Sequence, residues 1–132
     1  MNDVIKVPAA PSEEALSYFS RQLSFETDCW DVHEALASGM PGFVLLDVRG
    51  KSSYDKMHVP EALNLPHREI SKETLASYPQ KTLFVVYCAG PHCNGATKAA
   101  LKLSALRRLV KIMIGGLKGW QDEGFFVSSS ID

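Results

Sequence analysis

Thr82-Leu83-Phe84-Val85-Val86-Tyr87-Cys88-Ala89-Gly90-Pro91-His92-Cys93-Asn94-Gly95 sets the architecture of this 132-residue chain. Its opening residues are almost all β-branched or aromatic, the pattern of a strand buried on both faces and ending at Cys88. Beyond Gly95, the residues Ala96, Ala99, Ala100, Leu103 and Leu106 recur at helical spacing, with Lys98 and Lys102 on another face. The unit is therefore strand, loop, helix. On the N-terminal side, Phe43 to Val48 is a second unbroken apolar strand, and shorter strands are predicted over 23–27 and 62–66. Asp28 caps a helix carrying Trp30, Val32, Ala35 and Leu36, which Gly39 and Pro41 stop. Further helices are predicted over 71–78 and 117–123, with a last strand over 111–114 between them. Alternating strands and helices imply right-handed crossovers. The expected fold is a small three-layer α/β domain, with a mostly parallel central sheet and helices on both faces.

Composition bounds the function. With 45% hydrophobic and 22% charged residues the chain can bury a core. Fourteen basic against fifteen acidic residues give a net charge of -1, and no basic run exceeds Arg107-Arg108, which argues against nucleic acid or an anionic membrane as partner. No apolar stretch approaches the roughly 18 residues of a membrane span. The N-terminus has no basic stretch followed by an apolar run, and three cysteines suit a reducing compartment, so the expected location is cytoplasmic. Residues 1–11, with Pro8 and Pro11, read as an irregular arm. Ser12-Glu13-Glu14 then opens an amphipathic helix bearing Ala15, Leu16, Phe19 and Leu23. The expected division is an arm and helix over 1–22 and one domain over 23–132.

In open parallel sheets ligands collect at the carboxyl ends of strands, where Cys88 sits, with a helix opening a few residues later. Two glycines, Gly90 and Gly95, let loop amides approach a bound atom closely. Helix N-termini lower a cysteine pKa from about 8.5, in favourable cases to about 3.5–7.5, and the same dipoles attract anions. A thiolate and an anion site would then coincide. The alternative is a small buried residue that merely finishes a core strand.

Three blocks of the sequence resemble the rhodanese-like sulfurtransferases. Leu45-Leu46-Asp47-Val48-Arg49 followed by His58-Val59-Pro60-Glu61-Ala62-Leu63-Asn64-Leu65-Pro66 resembles the family's first signature. Val85-Val86-Tyr87-Cys88 and its loop resemble the strand and loop of the nucleophilic cysteine, and Gly115-Gly116-Leu117-Lys118-Gly119-Trp120 with Gly124 resembles the closing block. Together they cover about residues 23 to 127. The chain departs from the pattern at Met57 and Glu61, where the family usually has glycines, at Ser53, where it often has an acid, and at Pro91 and Cys93, where single-domain members often carry glycine and arginine. The usual loop cation is missing, and Cys-x-Gly-Pro-x-Cys resembles a variant loop of the family.

The resemblance implies sulfur transfer: Cys88 takes the outer sulfur of a small sulfur-containing anion such as thiosulfate, or of a persulfide donor, and a thiol or cyanide then removes it. It implies Ala89, Gly90, Pro91, His92, Cys93, Asn94 and Gly95 as the binding loop. Neither metal nor other cofactor is needed, and the acceptor thiol can belong to a protein. Cys93 is either a resolving thiol or a residue turned into the core; His92 is either a part-time cation or a solvated residue. Asp47, Arg49 and His58 are expected to be structural, Asp47 and Arg49 as a charge-assisted pair. Two rivals are weaker. A phosphatase would need arginine where Asn94 stands, and a zinc site of Cys88, His92 and Cys93 with Cys29 or His33 has none of the usual ligand spacings. The competing class is a non-catalytic rhodanese-like module that binds a partner or senses sulfur or oxidants.

Overall fold

The computed structural model describes residues 1–131. Five strands, β1 (Glu26–Thr27), β2 (Val44–Asp47), β3 (Leu63–Asn64), β4 (Leu83–Tyr87) and β5 (Leu109–Met113), form one sheet in the order β1-β5-β4-β2-β3, and every pairing is parallel. The helices are α1 (Asp3–Lys6), α2 (Ser12–Phe25), α3 (Cys29–Ala37), α4 (Lys51–Lys56), α5 (Gly95–Ala105) and α6 (Gly116–Asp122), with one 3-10 turn at His67–Glu69.

Side-chain alternation along the strands divides the core. Leu45, Val85, Tyr87 and Met113 face α3 and α6, packing on Val32, Leu117 and Trp120. Leu46, Phe84, Val86 and Cys88 face the other layer, packing on Ala96, Ala99 and Leu103 of α5 and on Ile70 and Leu75. Cys88 thus lies under α5, while Cys29 lies across the sheet among α3 and α6. The connection after β2 runs to one side and that after β4 to the other. Their carboxyl ends therefore flank a switch point, where a crevice opens in sheets of this kind.

Several local expectations are corrected. Residues 71–78 form successive turns and no helix, because Ser71 and Thr74 exchange hydroxyl and main-chain hydrogen bonds that compete with a helical ladder. Arg108 holds this segment by donating to the carbonyls of Leu75, Tyr78 and Pro79 at 2.9, 3.1 and 2.7 Å. The arm contains α1, whose cap Asn2 accepts from Ile5 N at 3.2 Å. The predicted strand 23–27 shrinks to β1, since α2 runs on to Phe25. Asp28 caps α3 as expected, accepting from Asp31 N at 2.8 Å.

Candidate active site

The loop after β4 is fastened at both ends. Leu117 N and Lys118 N, in the first turn of α6, donate to Cys88 O and Ala89 O at 3.0 and 2.9 Å, while Lys98 N of α5 donates to Asn94 O at 3.0 Å. Between them Cys93 N closes a turn on Gly90 O at 3.1 Å. Gly116, at φ 60°, lies so close beneath the loop that a Cβ there would stand 2.5 Å from Cys88 O and 2.8 Å from Gly90 N. Gly95 presses from the other side: its Cβ would lie 2.8 Å from Cys88 Sγ and 3.4 Å from Cys93 Sγ. The opening turn of α5 thus rests directly on the Cys88 sulfur, in the positive end of the helix field.

Cys88 is 6% exposed and sits on the floor of a cleft of about 420 Å³. One wall is loop: Ala89, Cys93, Asn94 and Gly95. The other comes from the ends of β2 and β3 and from α4, and carries Arg49, Ser53, His67 and Arg68. Gly90, Pro91 and His92 do not line the cleft. Gly90 backs onto Lys118, whose Cβ is 3.2 Å from where a Gly90 Cβ would stand, and Pro91 and His92 are exposed outside it. Cys93 does not turn into the core: it is exposed, and its sulfur is joined to that of Cys88 in a disulfide, with Cα atoms 6.4 Å apart. Gly95 N donates to Cys93 Sγ at 3.4 Å.

The cleft has cations that the loop lacks. Arg49 is engaged: it donates to both Asp47 oxygens at 2.7–3.2 Å and to Met57 O at 2.5 Å. Burial opposes its charge, but the hydrogen bonds and attraction of Asp47 override this and raise its pKa. Arg68 has no ion-pair partner among the described residues. Burial first, then the positive charges of Lys98, Arg68 and Lys102, hold the His67 imidazole below its usual pKa. An anion entering here meets the unpaired charge of Arg68 on the cleft wall.

Beneath the cleft Asp47 is fully buried and satisfied by Arg49 and by Tyr87 Oη, which donates to it at 2.7 Å and accepts from Val59 N at 3.0 Å. Burial and the Asp47 charge push the Tyr87 phenol well up. Asn64 Nδ2 bridges Asp47 O and Arg49 O at 3.1 and 2.9 Å. His58 stacks on Tyr54 with centroids 3.7 Å apart and pairs Nδ1 with Tyr54 O at 2.7 Å. Asp47, Tyr87, Asn64 and His58 do not line the cleft. Cys29, with its sulfur 3.6 Å from Ile114 O and Gly116 O, has its pKa pushed up to about 11 by burial, then by Asp28 and Glu123. It stays a protonated core thiol. Among the described residues no three His, Cys, Asp or Glu side chains gather in a metal-binding cluster.

The model of the rhodanese-like domain matches residues 31–123, most of the chain. The chain belongs to the rhodanese-like domain family. The BH2092 protein from Bacillus halodurans is 35% identical with a TM-score of 0.88, over 91% of this chain and 88% of that one. The rhodanese-like domain of the Anabaena sp Alr3790 protein is 28% identical with a TM-score of 0.70, covering 79% and 78%. Thiosulfate sulfurtransferase from Pseudomonas aeruginosa shares the fold at 19% identity and a TM-score of 0.68, over 85% of this rhodanese-like chain and 21% of that enzyme. An HTH-type transcriptional regulator of Mycobacterium tuberculosis, Rv0324, is 32% identical over 80 residues, 61% of this chain. This chain spans about a third of that regulator's length, 35%.

His67, Arg68 and Ser53 are cleft residues that the sequence reading missed. The signal was the basic pair His67-Arg68 following Pro66 at the end of a predicted strand.

Proposed function

We propose that this rhodanese-like domain is a sulfurtransferase that carries sulfane sulfur on Cys88. In the reduced protein the Cys88 thiolate attacks the outer sulfur of thiosulfate or a related anion. The new Sγ–S bond forms as the S–S bond of the donor breaks, and sulfite leaves with the electron pair. Cyanide or a thiol, including a protein thiol, then takes the terminal sulfur, in two displacements with no general base required. The observation that carries this reading is the position of Cys88 on the floor of a cleft rimmed by Arg68 and Arg49, with α5 opening on its sulfur. Those charges and amides would hold the anion and stabilise the persulfide by fixed dipoles.

The test starts from fully reduced protein. With thiosulfate it should release one sulfite per chain, and Cys93→Ser, which cannot close the disulfide, should make thiocyanate with ping-pong kinetics once cyanide is added. Cys88→Ser should do neither. A sensing module is the second reading, supported by the Cys88–Cys93 disulfide and by the match to part of a transcriptional regulator. Sulfite release in a single round, without turnover by cyanide or any thiol even in Cys93→Ser, would favour it.

A further inference from the structure

The disulfide joins the expected nucleophile to a second cysteine on the same loop, and the two differ in access: Cys88 is buried while Cys93 is exposed. The frame around the bond is regular. With the disulfide in place the loop ends are fastened to α5 and α6, the Cys93–Gly90 turn is closed, and the 6.4 Å Cα separation lies in the ordinary range for a disulfide. Only glycine at position 95 leaves room for both sulfurs.

The geometry points to a second activity that rests on the sulfurtransferase reading: Cys93 displaces the sulfane sulfur from Cys88 as hydrosulfide, making the domain a sulfane reductase driven by an external dithiol. Cys93 Sγ attacks the inner sulfur, Cys88 Sγ. The Sγ–Sγ bond forms, the bond from Cys88 Sγ to the outer sulfur breaks, and the outer sulfur leaves with the electron pair and the Cys93 proton as HS⁻. That sulfur is reduced by two electrons, and the two cysteine sulfurs are oxidised by one each. The product on the protein is the disulfide seen here.

Access decides the reset. A dithiol meets the exposed residue Cys93 before the buried Cys88, so Cys88 is the leaving thiolate and is returned ready for the next donor. The reductant ends as its own disulfide, which balances the cycle. Until that reduction Cys88 cannot accept sulfur, so turnover follows the supply of dithiol as well as of donor.

One experiment separates the possibilities. Fully reduced protein, freed of small thiols, is given one equivalent of thiosulfate; sulfite and hydrosulfide are measured, and the protein is weighed intact. The wild type should release one sulfite and one hydrosulfide per chain and lose the mass of two hydrogens. Cys93→Ser and Cys93→Ala should release sulfite alone and gain the mass of one sulfur, which dithiothreitol then removes as hydrosulfide. Sulfite release with a lasting sulfur adduct in the wild type overturns this inference and leaves sulfur transfer standing. An adduct mapped to Cys93 also overturns it, since Cys93 would then have attacked the outer sulfur. No sulfite from the wild type or either Cys93 variant sinks the sulfurtransferase reading itself.

Discussion

At Glu61 the backbone holds φ 70° on an exposed residue with a full side chain, where the family pattern carries glycine. A left-handed conformation costs a residue with a Cβ roughly 1–2 kcal/mol. Glu61→Gly should therefore raise stability, by about 1 kcal/mol once the greater freedom of the unfolded chain is subtracted. Urea denaturation would show this as a higher midpoint at unchanged slope. The departure at Glu61 was legible from the sequence, but its backbone angle was not, because nothing in the residue type announces it. Cys29 gives a second prediction. Its folded pKa, pushed up to about 11, exceeds the 9.0 of an unperturbed thiol. The unfolded chain thus releases that proton first, and the stabilisation is full below about pH 9 and lost as pH rises towards 11, at up to about 1.4 kcal/mol per unit. Unfolding free energies of wild type and Cys29→Ala between pH 9 and 11 should diverge in slope, the wild type falling more steeply. Parallel slopes would show that Cys29 ionises normally.

The elements read most easily were β2 and β4, whose unbroken apolar runs leave little choice but a buried strand. Segments held by particular side chains were not legible. Residues 71–78 have the composition of a helix, yet they are shaped by hydroxyls close in sequence and by Arg108, which is 30 residues from Tyr78 and reaches it only in the fold. Arg108→Ala should leave three carbonyls without that donor and destabilise the domain by about 1–3 kcal/mol. A lower thermal midpoint with faster amide exchange over 71–79 is the expected signature; a lower midpoint without the local change in exchange would count against it. The short helix α4 was missed for a related reason, since Lys51-Ser52-Ser53-Tyr54-Asp55-Lys56 presents little apolar stripe to recognise.

At the scale of the molecule, the cleft belongs to no single segment. Cys88 and its loop could be found by following one strand to its end, whereas Arg68 approaches from the end of β3, two strands away in the sheet order. Reading along the chain reported a loop without a cation; the sheet order supplies one. Arg68→Gln should lower kcat/KM for thiosulfate about tenfold, as expected for losing a charge-assisted hydrogen bond of about 1.5 kcal/mol. The thermal midpoint should hardly move, because Arg68 is exposed. An unchanged kcat/KM would remove Arg68 from donor binding. The same topology governs when the loop of Cys88 can be seated. β1 pairs only with β5, and the carbonyls of Cys88 and Ala89 are held by amides of α6, so a nascent polypeptide halted before residue 109 carries its thiol without a seat for it. Until residues 117 and 118 have left the ribosome and joined the first turn of α6, the Cys88 and Ala89 carbonyls lack the amides that seat them, so the loop takes its shape late in synthesis.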